Sequence, residues 1–135
     1  MNRTIFLTGI LFGILAIVLG AFGAHGLEHL LHQESLETFK TGVQYQMYHA
    51  LLLLLLGSTS LISEKKKKWT FYCILFGLIF FSFSIYLLAT NTLTTFNFKV
   101  LGPITPLGGL LLITGWTILG FQAYAGFKQK QGNTN

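Results

Sequence analysis

The sequence predicts an all-α protein, a four-helix transmembrane bundle with a short interfacial helix between the first two spans. Three observations carry this expectation. Four stretches, Thr4–Ala24, Val43–Ile62, Trp69–Ala89 and Thr105–Ala125, are long and apolar. A helix rises about 1.5 Å per residue, so about 20 residues cross a hydrocarbon core of about 30 Å. None of the four contains Asp, Glu, Lys or Arg. Finally, only 10% of the 135 residues are charged and 52% are hydrophobic, against about 25% charged in a soluble domain. Residues 1–127 make one membrane domain, and 128–135 form a polar cytoplasmic tail.

Taken in order, the first span holds Gly9, Gly13 and Gly20, with Ala16 and Ala24 on neighbouring turns. Gly9 and Gly13 form a GxxxG pair, and Gly20 with Ala24 repeats the spacing. Lipid supplies no hydrophobic drive between helices, so close approach at small residues is a principal source of association. The two readings are packing inside the bundle and a dimer face. Arg3, the apolar run Ile5–Leu19 and the small Ala21 and Gly23 also fit a signal peptide. Charge alone leaves its cleavage open.

After Gly26, the segment Leu27–Glu34 places Leu27, Leu30 and Leu31 on one helical face, as an interfacial half-helix would. Ser35, with Glu37 in the turn after it, is the expected N-cap of the second helix, which runs without a breaker to Ile62. Ser63–Lys68 is expected to be a tight turn, with Trp69 and Tyr72 in an interfacial aromatic belt. Asn91–Leu101 reads as a polar loop. Pro103 and Pro106 sit at the start of the fourth span, where a missing N–H costs nothing. Gly108, Gly109 and Gly115 give that span a thin face for packing.

The net charge of +5 would point to nucleic acid in a soluble chain. Here four of the nine basic residues form one run, Lys65–Lys68, between two spans. That is a topology signal, and no nucleic-acid partner is expected. With both termini cytoplasmic, Arg3, the four-lysine run, Lys128 and Lys130 put seven of nine basic residues inside. Lys40 and Lys99 fall outside. The single cysteine, Cys73, excludes an internal disulfide.

Polar side chains inside spans are the informative ones, since each must find a partner. Gln44 with Tyr48, and Tyr45 with His49, stand four apart and stack on one helix face. His25 closes the first span on the same side. Ser82, Ser84 and Tyr86 lie in the outer half of the third span, and Thr105 opens the fourth. These nine residues are expected to gather in the outer half of the bundle, either as packing contacts or as a binding site. His25, Glu28, His29 and His32 have helical metal-ligand spacing, but the segment is exposed and Gly26 interrupts it. No metal is expected. A haem held by His25 and His49 rests on two histidines alone, and no cofactor is expected. No charged group in a span means no evident proton relay or coupling-ion site. No nucleophile stands beside a base in any recognisable motif.

Four phrases in order are Gly20-Ala-Phe-Gly-Ala-His25-Gly, Gln44-Tyr-Gln-Met-Tyr-His49-Ala, Phe81-Ser-Phe-Ser-Ile-Tyr86 and Gly102-Pro-Ile-Thr-Pro-Leu-Gly-Gly109, the last followed by Gly115-Trp116. Together they resemble the small bacterial inner-membrane proteins of Domain of Unknown Function 423, related to eukaryotic transmembrane protein 256. The resemblance covers nearly the whole chain. It implies a four-span plasma-membrane protein with its first span retained. Phe83 departs from it, since the family usually has glycine between the two serines, and a ring there would close a helix contact or fill part of a pocket. The expected role is non-enzymatic, a structural or accessory protein packing in a homo-oligomer or larger membrane complex. The alternative is binding or transport of a small neutral or lipid-like molecule at Gln44, Tyr45, Tyr48, His49 and Tyr86.

Overall fold

The structure, a computed structural model, describes residues 1–132. Among these, every regular element is helical: α1 (Arg3–His25), α2 (Gln33–Ser58), α3 (Glu64–Leu78), a π-helical segment (Ile79–Phe83), α4 (Ser84–Ala89) and α5 (Ile104–Gly132). Two short 3-10 turns, Asn91–Leu93 and Phe98–Leu101, give the expected loop its shape. Three helical lengths are long and apolar enough to cross a membrane, namely Arg3–His25, Glu64–Ala89 and Phe98–Gln131. The 26-residue α2 has the length but is not among them. Gln44, Gln46 and His49, with Tyr45 and Tyr48, dilute its apolar character at mid-helix.

The helices form two antiparallel pairs joined through their inner members. α1 packs along α2, α5 packs along α3 and the π segment, and α2 meets α3, the π segment and α4. One core cluster, built on Leu53, Leu56, Ile74, Leu78 and Leu112, fills the space near the Lys65–Lys68 end. A second, with Leu27, Leu31, Leu36, Phe39 and Tyr86, fills the other end.

Glycine sets how closely each pair approaches. A Cβ on Gly9 would stand 2.9 Å from the Ala50 carbonyl oxygen, and one on Gly57 would stand 2.8 Å from the Phe6 nitrogen. On the other pair, Gly108 abuts the Phe80–Phe81 backbone, and Gly115 abuts Ile74. The expected face is therefore only partly used. A Cβ on Gly13 would be 3.9 Å from its nearest neighbour, one on Gly109 3.8 Å, and one on Gly20 3.4 Å. Gly9, half of the GxxxG pair, is spent inside the chain against α2.

Several boundaries differ from expectation for physical reasons. Leu27–Glu34 is not a half-helix; it is a turn in which the Leu30 and Leu31 amides both donate to the Leu27 carbonyl, and its last two residues already belong to α2. Leu27 and Leu31 are buried as plugs under that turn while Leu30 is exposed. The N-cap of α2 is His32 and not Ser35, and α2 begins three residues before the first buried leucine on its face, Leu36. α2 stops at Ser58, short of Ile62, because the backbone turns extended at Thr59. α5 continues through Lys128 and Lys130 to Gly132, so most of the expected tail is helical; residues 133–135 lie outside the described residues.

The expected turn Ser63–Lys68 is instead the first turn of α3, with Glu64 placed where a helix N-terminus favours negative charge. Its lysines are not equivalent. Lys65, Lys66 and Lys68 are exposed, whereas Lys67 is 0% exposed. Lys67 Nζ donates to the Thr59 carbonyl at 2.6 Å, at the negative end of α2, and to Glu64 Oε1 at 2.8 Å. Asn2 Nδ2 donates to Glu64 Oε2 at 2.7 Å, and the Asn2 amide donates to the Gly57 carbonyl at 2.8 Å. One ion pair thus ties the start of α1, the end of α2 and the start of α3.

Candidate functional site

The buried face of α2 follows a three-and-four rhythm through Leu36, Phe39, Gly42, Gln46, His49 and Leu53. That rhythm turns Gln46 into the protein, where it is 0% exposed. Its Nε2 donates to the Phe12 carbonyl of α1 at 2.9 Å. Its Oε1 accepts from the Tyr86 hydroxyl of α4 at 2.7 Å. Phe12 stands near the midpoint of α1, so this amide sits deep along the helices.

The π segment positions the remaining donors. Its wider turn leaves carbonyls without their usual helical partners, and Ser84 Oγ is directed at those of Phe80 and Phe81. With that proton committed, the Thr105 hydroxyl donates to Ser84 Oγ at 2.7 Å, joining α5 to α4. Ser82, inside the segment, donates to the Gly42 carbonyl at 2.9 Å. Gly42 has no side chain because the Tyr86 ring lies against it, 2.7 Å from where a Cβ would be. Phe83 meets Phe12 edge-on at 6.5 Å and Tyr86 edge-on at 5.7 Å, so its ring closes a helix contact.

His49 forms a second bridge. Its Nδ1 lies 2.7 Å from the Tyr45 carbonyl, and Trp116 Nε1 donates to its Nε2 at 3.2 Å. A carbonyl can only accept and an indole N–H can only donate. One arrangement satisfies both, a neutral ring with its proton on Nδ1. Nearer the lysines, Thr70 donates to Gln122 Oε1 at 3.2 Å, and Gln122 Nε2 donates to the Lys66 carbonyl at 3.0 Å. Interhelical hydrogen bonds of this kind stabilise membrane helices by about 0.6 to 2 kcal/mol each.

The structure therefore brings Tyr86, Ser82, Ser84, Thr105 and His49 onto interhelical contacts, but not onto one site. Gln44, Tyr45 and Tyr48 turn outward and are exposed. His25, the last residue of α1, is exposed and apart from the others. Sequence reasoning missed Gln46 and Trp116. The signal for Gln46 was present, since it stands seven residues after Phe39 and seven before Leu53 on the buried stripe. Among the described residues, every buried side-chain nitrogen and oxygen has a hydrogen-bond partner, and no three His, Cys, Asp or Glu side chains converge as a metal set. The network can fix helix positions; it presents no unpaired polar atom to a ligand.

The profile of the family described as Protein of unknown function (DUF423) matches residues 19–109. A UPF0382 membrane protein of Staphylococcus saprophyticus is 38% identical over 117 residues, covering 87% of this chain and 93% of its own. A UPF0382 membrane protein of Haemophilus influenzae is 38% identical over 118 residues, covering 87% and 89%. UPF0382 membrane protein YwdK of Bacillus subtilis is 35% identical over 122 residues, covering 87% and 93%. No solved structure matches. The chain belongs to the DUF423 family, and the relatives it is similar to are bacterial membrane proteins.

Proposed function

We propose that the chain is a four-span plasma-membrane protein, with α2 as the fourth span and both termini cytoplasmic. We further infer that it acts without catalysis, as a structural or accessory element packed against copies of itself or within a larger membrane complex. Internal pairing of Gln46 and His49 supports α2 as a span, because a bonded polar group no longer opposes insertion. The basic residues support the orientation, as the positive-inside rule requires.

The observation that carries the reading is a contrast along one helix. Gln46 is fully buried and bonded on both sides of its amide. Gln44 and Tyr48, two residues to either side, face outward beside the exposed Leu51 and Leu55. No hydrogen bond within the described chain satisfies their polar atoms. An amide left facing hydrocarbon costs free energy, and a neighbouring helix relieves that cost. A binding site for a small neutral or lipid-like molecule at these residues has less support, because the Tyr86 hydroxyl and His49 ring are already engaged.

Native mass analysis of gently solubilised membranes tests this. The expected result is a multiple of the chain mass or a co-purifying membrane protein, weakened by Gln44→Leu with Tyr48→Phe. A lone monomer, unchanged by those substitutions, overturns it.

A further inference from the structure

Lys65, Lys68, Trp69 and Tyr72 follow one another at i, i+3, i+4 and i+7 of α3 and so share a face. Together they line a surface depression of about 280 Å³. Trp69 is 71% exposed and Tyr72 is 50% exposed. A second hollow, of about 170 Å³, shares Lys68 and Tyr72 and is completed by Phe71 of α3, by Asn2 at the N-cap of α1 and by Thr4 and Ile5 within α1. The two hollows make one groove that enters the cleft between α1 and α3. Phe76 and Phe80 continue the exposed face one and two turns further along. The Tyr72 and Phe76 rings stack with centroids 6.3 Å apart.

The charges of this groove are open. Glu64, the only acid near it in sequence, is taken by Lys67 and Asn2. The Lys65 and Lys68 ammonium groups have no hydrogen bond or ion pair among the described residues. Along α3 and into the π segment the order is therefore two free ammonium groups, two amphipathic rings, then exposed apolar rings. A phospholipid presents the same order, from phosphodiester through glycerol to acyl chain. Basic clefts between helices at a membrane surface suit anionic headgroups, and Trp and Tyr suit the headgroup level.

We propose that this groove binds an anionic phospholipid, with its phosphodiester between Lys65 and Lys68. Its glycerol region lies against Trp69 and Tyr72, and an acyl chain runs along Phe76 and Phe80. The inference rests on the proposed spanning arrangement, which sets this end of α3 at a membrane surface, but not on which leaflet it meets.

The test is native mass spectrometry of the full chain challenged with equimolar phosphatidylglycerol and phosphatidylcholine. The wild type is expected to retain phosphatidylglycerol preferentially. Lys65→Gln with Lys68→Gln should weaken that retention roughly 10- to 30-fold. Lys40→Gln with Lys99→Gln, the same charge change at the opposite end, should leave it intact. Equal retention of both lipids by the wild type overturns the proposal, as does equal loss in both double variants or loss in neither. Carbonate extraction from phosphatidylcholine vesicles separates the two readings. A chain that stays inserted without lipid preference refutes the groove alone. A chain that washes out refutes the spanning arrangement, and the groove proposal with it.

Discussion

Tyr86 donates its hydroxyl to Gln46 at 2.7 Å, and the same amide donates to the Phe12 carbonyl at 2.9 Å, so one buried side chain couples α1, α2 and α4. The arrangement answers the difficulty α2 carries in its sequence. A helix with two glutamines and a histidine at mid-length is costly in hydrocarbon unless those groups are bonded. Here Gln46 and His49 are turned inward and paired, while Gln44 is left outside. The inward groups hold this chain together, and the outward Gln44 and Tyr48 side chains have no hydrogen bond among the described residues.

The glycine contacts predict unequal effects at adjacent positions. Gly108→Ala drives a methyl into the Phe80–Phe81 backbone, whereas Gly109→Ala meets only an ordinary contact with the Phe81 ring. The first should destabilise by about 1 to 3 kcal/mol, and the second should be near neutral. Thermal unfolding of the two variants in mild detergent compares them. Equal tolerance would mean α5 does not lie on the π segment as closely as described.

A second prediction concerns acid. The Lys67 ammonium, and after it the Asn2 amide, hold the Glu64 carboxyl below the usual carboxylate range. A carboxyl with a lower pKa folded than unfolded contributes stability that is complete above its unfolded pKa. That contribution is lost as pH falls through the folded value. Melting temperature should therefore drop on acidification into and below the carboxylate range, and Glu64→Gln should remove part of the drop. The effect should be small, because Glu64 is exposed and its pairing is screened by water. Identical acid profiles for the two proteins would contradict it.

Topology gives a third. With α2 as a span, reporter fusions after residue 132 and ahead of Met1 should both report cytoplasm. A reporter inserted in the turn after Gly26 should report the opposite side. Termini on opposite sides would remove α2 from the membrane and leave the three lengths that are apolar throughout.

Much of this was legible because apolar length and the absence of charge act locally. Arg3–His25 and the α3–α4 stretch could be read within a few residues. The polar network was less legible. Pairing residues four apart on α2 singled out Gln44 with Tyr48 and Tyr45 with His49, yet a helix stacks such pairs on any face. Which face is buried depends on Phe39, Gly42 and Leu53 meeting other helices. The π segment was invisible, because the bonds made within it and just after it, Ser82 to Gly42 of α2 and Ser84 to Thr105 of α5, reach partners remote in sequence. Lys67 likewise reads as one of four surface lysines until the end of α2 is placed beside it.

The most direct test of the central claim is a double-mutant cycle on Gln46→Leu and Tyr86→Phe, measured by reversible unfolding in bicelles. If the two residues are internal glue, Gln46→Leu alone should destabilise by about 1 to 3 kcal/mol, since it strands the Tyr86 hydroxyl. Adding Tyr86→Phe should then cost little more, giving a coupling energy of about 0.6 to 2 kcal/mol. Additive effects with no coupling would mean that the pair does not hold the helices together, and that Gln46 keeps its amide for something other than this fold.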